Sequence, residues 1–186
     1  MNHTLWQSCP WSNLRVENDS TLVGYKLVKG WGPERHVYFT AVFSKPFRDF
    51  GIMQDTIPVK YNTNRFRSSL EAWGKDLRFW MRFPTRQGEV VTVKTAVSAV
   101  SSDGAKLNMQ ELEGKTFASL KAEGEKLWEG QLSKFKIEAT PEQRETFYTS
   151  VYHAFLHPFI FQDADGKFRE LDKNIGQAEG FTNYTV

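Results

Sequence analysis

Apolar and polar positions alternate along much of the first hundred residues, the period-two signature of strands with one covered face. Leu22, Lys26 and Val28 lie in one extended run, and Val37-Tyr38-Phe39-Thr40-Ala41-Val42-Phe43 forms a second. Gly30-Trp31-Gly32-Pro33 supplies the turn between them. Leu77-Arg78-Phe79-Trp80-Met81-Arg82-Phe83 alternates apolar and charged residues over part of its length, before Pro84 and Gly88 break the chain. The clearest strand covers Val90 to Ser101: Val91, Val93, Thr95, Val97 and Ala99 fall on one face, Thr92, Lys94, Ala96 and Ser98 on the other. One face should be buried and one partly wet. Strands at this spacing, separated by turn residues, predict an antiparallel sandwich.

The period changes after Ser101. Ser101-Ser102-Asp103 offers cap residues, Ala105, Met109 and Leu112 are spaced for one helical face, and Gly114 suits the left-handed residue past the last turn. Thr116 is placed to cap a second helix carrying Phe117, Leu120, Leu127 and Trp128, despite the helix-weakening Gly124. Lys134 to Glu138 reads as a short extended connector. Thr140-Pro141-Glu142-Gln143 then starts a third helix: the threonine accepts from the third backbone N–H, proline fits the first position, and glutamine reaches back to complete a capping box. Phe147, Val151, Ala154 and Phe155 form its apolar stripe, and Pro158 is expected to end it near His157. Phe159-Ile160-Phe161 and Lys167-Phe168-Arg169, flanking Asp163-Ala164-Asp165-Gly166, predict a hairpin. The β-prone run Phe181 to Val186 needs a pairing partner or a following element, so the chain is expected to be the front part of a larger protein. The fold class is mixed, β then α, with the change between residues 100 and 115: a sandwich over 1–104 and a helical part over 105–186.

Composition narrows the partners. Lys plus Arg number 24 against 22 Asp plus Glu, without a cationic block, so nucleic acid is not an expected partner. The lone Cys9 excludes an internal disulfide framework and a Cys-based zinc site. No apolar run approaches membrane-span length, and Met1-Asn2-His3-Thr4 does not open a signal peptide. Asn2-His3-Thr4, Asn18-Asp19-Ser20 and Asn183-Tyr184-Thr185 fit the glycosylation pattern at a frequency chance supplies, and fix no compartment. The aromatic residues, fifteen Phe and six Trp among them, suffice for a core and also suit sugar-stacking surfaces.

Three constellations bear on chemistry. Asp163-x-Asp165-Gly166 begins like a calcium loop, but counting from Asp163 the glycine falls fourth rather than sixth, and the twelfth position is Asn174, not Glu. The pattern favours a turn held by Asp side chains. His153 and His157 share an i, i+4 spacing, yet residue 154 is Ala where a zinc protease needs Glu, and no third ligand is evident. A helix-face histidine and a helix-end histidine at the negative dipole end account for them. Asp163, Asp165, Glu170, Asp172 and Glu179 are the carboxyls a glycosidase could draw on, but their spacing singles out no acid and base pair.

In order along the chain, Val23-Gly24-Tyr25-Lys26, Gly30-Trp31-Gly32-Pro33-Glu34-Arg35-His36-Val37-Tyr38-Phe39 and Phe43-Ser44-Lys45-Pro46-Phe47 resemble glycoside hydrolase family 92, the calcium-dependent exo-acting α-mannosidases. Ser98-Ala99-Val100-Ser101, Gly104-Ala105-Lys106-Leu107-Asn108, Trp128 and Leu132 continue the resemblance. Phe147-Tyr148-Thr149-Ser150-Val151-Tyr152-His153, Pro158, Asp163-Ala164-Asp165-Gly166 and Glu179-Gly180-Phe181-Thr182 extend it over nearly the whole chain.

The resemblance implies an N-terminal β-sandwich followed by an (α/α)6 toroid, with terminal α-mannose of N-glycans or other mannose-rich glycans held where they meet. It implies inversion by single displacement: a carboxylic acid protonates the departing oxygen while a carboxylate activates water, the two roughly 6.5–9.5 Å apart. Calcium would bind mannose hydroxyls and favour a planar, oxocarbenium-like ring. The family's Trp-Asp pair that contacts mannose, its acid, its base and most calcium contacts lie beyond the Gly-Phe-Thr stretch, and its early substrate-contacting loop, expected upstream of Leu14, has no counterpart here. No catalytic residue or metal ligand is therefore assigned in this chain, substrate-binding residues are unknown, and the chain is expected to be a fragment inactive alone. The resemblance also implies a secreted or periplasmic protein. A non-catalytic carbohydrate-binding sandwich is the alternative from another class. Another sandwich-plus-toroid glycosidase, a phosphorylase or glucosidase, is disfavoured by Phe147-Tyr148-Thr149.

Overall fold

A computed structural model describes residues 8–30, 34–54, 57–58 and 70–185. The turn residues Trp31-Gly32-Pro33, the Asn2-His3-Thr4 sequon and Val186 lie outside the described residues. The chain divides into two compact units, one made of Met1–Glu111 with Gln162–Glu179, the other of Leu112–Phe161 with Gly180–Val186.

The first unit is built on antiparallel strands. β1 (Ser8–Asn18), β2 (Thr21–Lys29), β3 (Arg35–Phe43), β6 (Glu71–Gly74) and β8 (Val93–Ser98) form a five-stranded sheet in the order β6-β1-β2-β3-β8. β4 (Asp49–Gln54), β5 (Ile57–Pro58) and β7 (Leu77–Arg82) form a second sheet in the order β5-β4-β7. Side chains alternate between sheet faces, so one face of the larger sheet presents Leu14, Val16, Leu22, Ala41 and Ala72. These pack with Ile52, Leu70 and Phe47 into the buried core, flanked by Leu77, Phe79 and Met81. The result is the predicted sandwich.

Phe47 sits at its centre. The chain between β3 and β4 folds inward there because the Phe47 N–H donates to the Asp19 carbonyl at 2.8 Å. Its ring meets Phe43, Phe50, Phe79 and Phe83 edge-on, with centroids 5.3–6.3 Å apart, the arrangement aromatic quadrupoles favour.

β8 carries its alternation as expected, and the covered face is the less apolar one. Ser98 is buried and Lys94 and Ala96 are half-buried, whereas Val97 is 61% exposed. The smaller sheet lies against β1 and β6, at the other end of the strand order, and leaves Val93 and Val97 of β8 exposed. The opposite face is occupied by α1 (Ser102–Met109), whose Ala105 is fully buried. The Ser101 side chain caps α1 by accepting from the Gly104 N–H. A 3-10 turn, Gln110–Leu112, follows, and Gly114 takes φ +69.

The predicted hairpin is corrected. Lys167–Arg169 (β9) pairs with Ile175–Gln177 (β10), not with Phe159-Ile160-Phe161. The Asx turn in which Asp172 accepts from the Asn174 N–H, with Lys173 at φ 76, folds β10 back onto β9.

In the second unit, α2 (Phe117–Leu132) and α3 (Pro141–Ala154) both start with complete capping boxes, from Thr116 and from Thr140 with Pro141. The Phe155 N–H closes α3 on the Val151 and Tyr152 carbonyls, so the helix stops before the expected His157. Trp128 and Tyr152 meet at 4.5 Å, and the Tyr148 hydroxyl donates to the Phe135 carbonyl at 2.7 Å. The β-prone end finds its partner upstream: Phe161 donates to the Asn183 carbonyl and Thr185 to the Phe159 carbonyl, both at 2.8 Å. No residue of α2 or α3 is buried, and Phe117 is 79% exposed.

Ile52 is one of the largest fully buried side chains. Ile52→Ala is expected to destabilise the sandwich by about 2–5 kcal/mol through lost transfer energy and a residual cavity, read from denaturant unfolding followed by tryptophan fluorescence.

Candidate functional site

Among the described residues the one buried carboxyl is that of Asp163, 5% exposed. Three segments converge on it. β8 ends at Ser98, whose hydroxyl oxygen accepts the Val100 and Ser101 N–H groups and donates to Asp163 Oδ2 at 2.6 Å. α1 brings Asn108, whose Nδ2 donates to Asp163 Oδ1 at 2.8 Å and to the Val97 carbonyl at 2.9 Å. Asn108 Oδ1 accepts the Ala164 N–H at 2.7 Å. Both carboxyl oxygens are therefore acceptors, and both partners are neutral. A Cβ at residue 104 would overlap the Asp163 carboxyl and the Ser98 hydroxyl, so only glycine lets α1 approach this closely.

Asp163 also closes its own turn. Its N–H donates to the Lys167 carbonyl and its carbonyl accepts the Gly166 N–H, each at 2.8 Å, with Gly166 at φ +80. Asp165 pairs with the Lys167 ammonium at 2.6 Å and accepts its N–H, which lowers the Asp165 pKa and raises that of Lys167. The turn is thus held by Asp side chains, as the sequence pattern favours.

A second cluster lies on the same face of the large sheet, where Tyr25, His36 and Tyr38 sit on β2 and β3. The Tyr25 hydroxyl and His36 Nδ1 are 3.1 Å apart, while His36 Nε2 is buried without a hydrogen-bond partner among the described residues. Burial first, then the nearby Arg169 charge, lowers the His36 pKa; burial, then Tyr38, raises that of Tyr25. The Arg169 guanidinium donates to the carbonyls of Ala99, Val100 and Lys173 at 2.8–3.1 Å, tying β9 to the end of β8. Lys173 bonds Glu34 at 2.6 Å and Lys29 adds a second contact at 3.1 Å, which holds the Glu34 pKa at about 2.

The remaining residues considered from sequence are dispersed. Asp172 accepts from Asn174, and Glu170 and Glu179 are exposed. His153 lies in the last turn of α3 against Tyr152, and His157 falls beyond the helix with its ring 4.2 Å from Phe159, so the i, i+4 spacing does not put both on one helical face. Among the described residues no group of three or more His, Cys, Asp or Glu side chains is placed to hold a metal ion. The two clusters brace structure: apart from His36 Nε2, the polar groups described above are spent on neighbours. Sequence spacing could not find the first, because Ser98 and Asn108 stand 65 and 55 positions from Asp163; both occur only inside the strings that carry the family resemblance.

The strings that hold Ser98, Asn108 and Asp163 meet at this junction, and comparison with known proteins agrees with the resemblance. The profile of the glycosyl hydrolase family 92 N-terminal domain matches residues 1–98, and that of the family 92 catalytic domain matches residues 104–186. The chain belongs to glycoside hydrolase family 92. Its backbone superposes on the family GH92 α-mannosidase BT3965 from Bacteroides thetaiotaomicron, solved alone and with mannoimidazole, with a TM-score of 0.90 and 68% identity over 100% of this chain. This chain spans 24–25% of that protein. The GH92 inverting mannosidase BT2199 from the same species shares the fold, with TM-score 0.78 and 20% identity over 95% of this chain and 24% of its own. No curated protein matches the sequence.

Asp163→Ala leaves the Ser98 hydroxyl and the Asn108 amide without their buried acceptor, an expected loss of about 2–4 kcal/mol. Gly104→Ala is also expected to destabilise, and the double variant to lose less than the sum, because the added methyl then occupies space the carboxyl has left. Thermal and denaturant unfolding of the four proteins test this.

The Glu34 carboxyl is depressed on folding from 4.5 to about 2. Its contribution is therefore present above the unfolded value and lost as pH falls through about 2. A Glu34→Gln variant should differ in stability from the parent near neutrality and converge with it between pH 4.5 and about 2, a trend read from denaturation at stepped pH.

Proposed function

We propose that the full-length protein is an exo-acting α-mannosidase that removes terminal α-mannose, with inversion, from N-glycans or other mannose-rich glycans. The observation that carries this reading is the 68% identity to an α-mannosidase across the whole of this chain. In this reading residues 1–104 belong to the N-terminal sandwich and residues 105–186 open the helical catalytic domain. Further helices of an (α/α)6 toroid would cover the apolar surface that Phe117, Leu127 and Phe155 expose.

The catalytic acid and base belong to the remainder of the longer chain. There one carboxylic acid would protonate the departing oxygen and a carboxylate across the ring would activate water. Three of the carboxyl groups considered do not suit that work: Asp163 and Asp165 are bound to their neighbours, and Asp172 is held in a turn. The calcium dependence that the family resemblance implies extends to the full-length protein only, since the described residues offer no ligand set. A non-catalytic carbohydrate-binding sandwich would account for the first unit but leaves the match of residues 104–186 to a catalytic domain unexplained.

The full-length protein is expected to release mannose from aryl α-mannosides and mannose oligosaccharides, with β-mannose the first anomer seen by proton NMR. Chelation should abolish turnover and added calcium restore it, and the 186-residue chain alone should release none. Retention of the α anomer, no release by the full-length protein, or turnover by the 186-residue chain would overturn the reading.

A further inference from the structure

Two tryptophans stand side by side on the first unit, on the face of the large sheet that turns away from the core. In register, Asn13 of β1 lies opposite Trp73 of the edge strand β6, and Trp11 points to the same side one pleat further along. The rings are 5.9 Å apart at 31°, and Trp11 and Trp73 are 45% and 50% exposed. Keeping two indoles half in water forgoes a large burial energy, and such surfaces mark contact sites.

The border of the pair says what it fits. Next along the two strands, Arg15 lies opposite Glu71. The Asn13 amide donates to Glu71 Oε1 at 2.9 Å, Arg15 bonds Glu17 at 3.3 Å, and Glu17 also takes Lys106. The cations Arg15 and Lys106 are thus balanced by Glu17 and Glu71. The charges of these four residues cancel, which suits a neutral ligand better than an ionic one. A neutral ligand with one apolar C–H face and a rim of hydroxyls finds both elements it needs: indole faces for stacking, and guanidinium and carboxylate groups for the hydroxyls. That is the chemistry of a pyranose.

We propose that Trp11 and Trp73 form a sugar-stacking platform that contacts a neutral oligosaccharide, with Arg15 and Glu71 directed at its hydroxyls and the buried Asn13 amide holding Glu71 in place through its bond to Oε1. The inference rests on the reading of the full-length protein as a mannosidase for the identity of the sugar, not for the existence of the platform. Trp80 provides an internal contrast. Its ring has no stacked partner among the described residues; it stands on the outer face of the smaller sheet over Gly51, with the Arg82 guanidinium 5.5 Å from its centre.

The test uses the full-length protein with α-mannan and, in parallel, a β-glucan as probes. Affinity electrophoresis should show Trp11→Ala and Trp73→Ala each weakening mannan binding by about tenfold, with Trp80→Ala unchanged. Residue-resolved hydroxyl-radical footprinting of the unmutated protein, which needs no variant to fold, should show both indoles oxidised in the free protein and protected by mannan. Rings already protected without sugar would mean that another part of the polypeptide covers them, and would overturn the platform. So would binding unaltered in the variants, or an equal loss in Trp80→Ala. Tryptophan-dependent binding of the β-glucan but not of mannan would uphold the platform and overturn the mannosidase reading.

Discussion

The first unit depends on solving one problem, a carboxyl group placed almost out of reach of water. An aspartate in that position is tolerated only when its oxygens are met by donors. Asp163 is met by one hydroxyl from the end of β8 and one amide from α1, and those two donors have no freedom left over. The Ser98 oxygen is filled by two backbone N–H groups, and Asn108 spends its remaining capacity on Val97 and Ala164. A sheet edge, a helix and a returning hairpin are thereby fixed in one mutual geometry.

The family resemblance acquires a physical meaning at this point. Ser98, Gly104, Asn108, Asp163 and Gly166 are scattered through three of the matching strings and converge on one junction. Phe43-Ser44-Lys45-Pro46-Phe47 serves the core in the same way. It carries the ring about which the other phenylalanines of the sandwich are arranged. At these positions, what makes the segment recognisable is the chemistry of holding a scaffold together.

What could be read in advance followed the range of the forces involved. Capping is local, so Thr116, Thr140 and Pro141 announce their helices within four residues. Alternation is local too, and β3 and β7 were legible from it. In β1 the alternation is interrupted by Pro10 and several polar positions; β2 follows it directly, but its other neighbour, β6, lies far along the chain. For β8 the pattern showed two faces but not which would be covered. That depends on α1 lying over Ser98 and on the second sheet stopping short of Val97. The turn at Gly166 is present, yet the strand after it pairs with Ile175–Gln177 across the Asp172 and Lys173 corner, while Phe161 bonds Asn183 instead. Contacts such as Asn108 to Asp163 or Arg169 to Ala99 leave no trace in spacing.

The route of the polypeptide has a kinetic consequence. The chain leaves the first unit after Glu111 and re-enters it at Gln162, so the donors on Ser98 and Asn108 are synthesised well before their acceptor. Closing an excursion of about fifty residues carries an entropic penalty on the order of 3–4 kcal/mol. Until that closure, a ribosome-bound sandwich would display two unsated donors, and its last strand and first helix would wait, loosely held, for the returning aspartate to lock them.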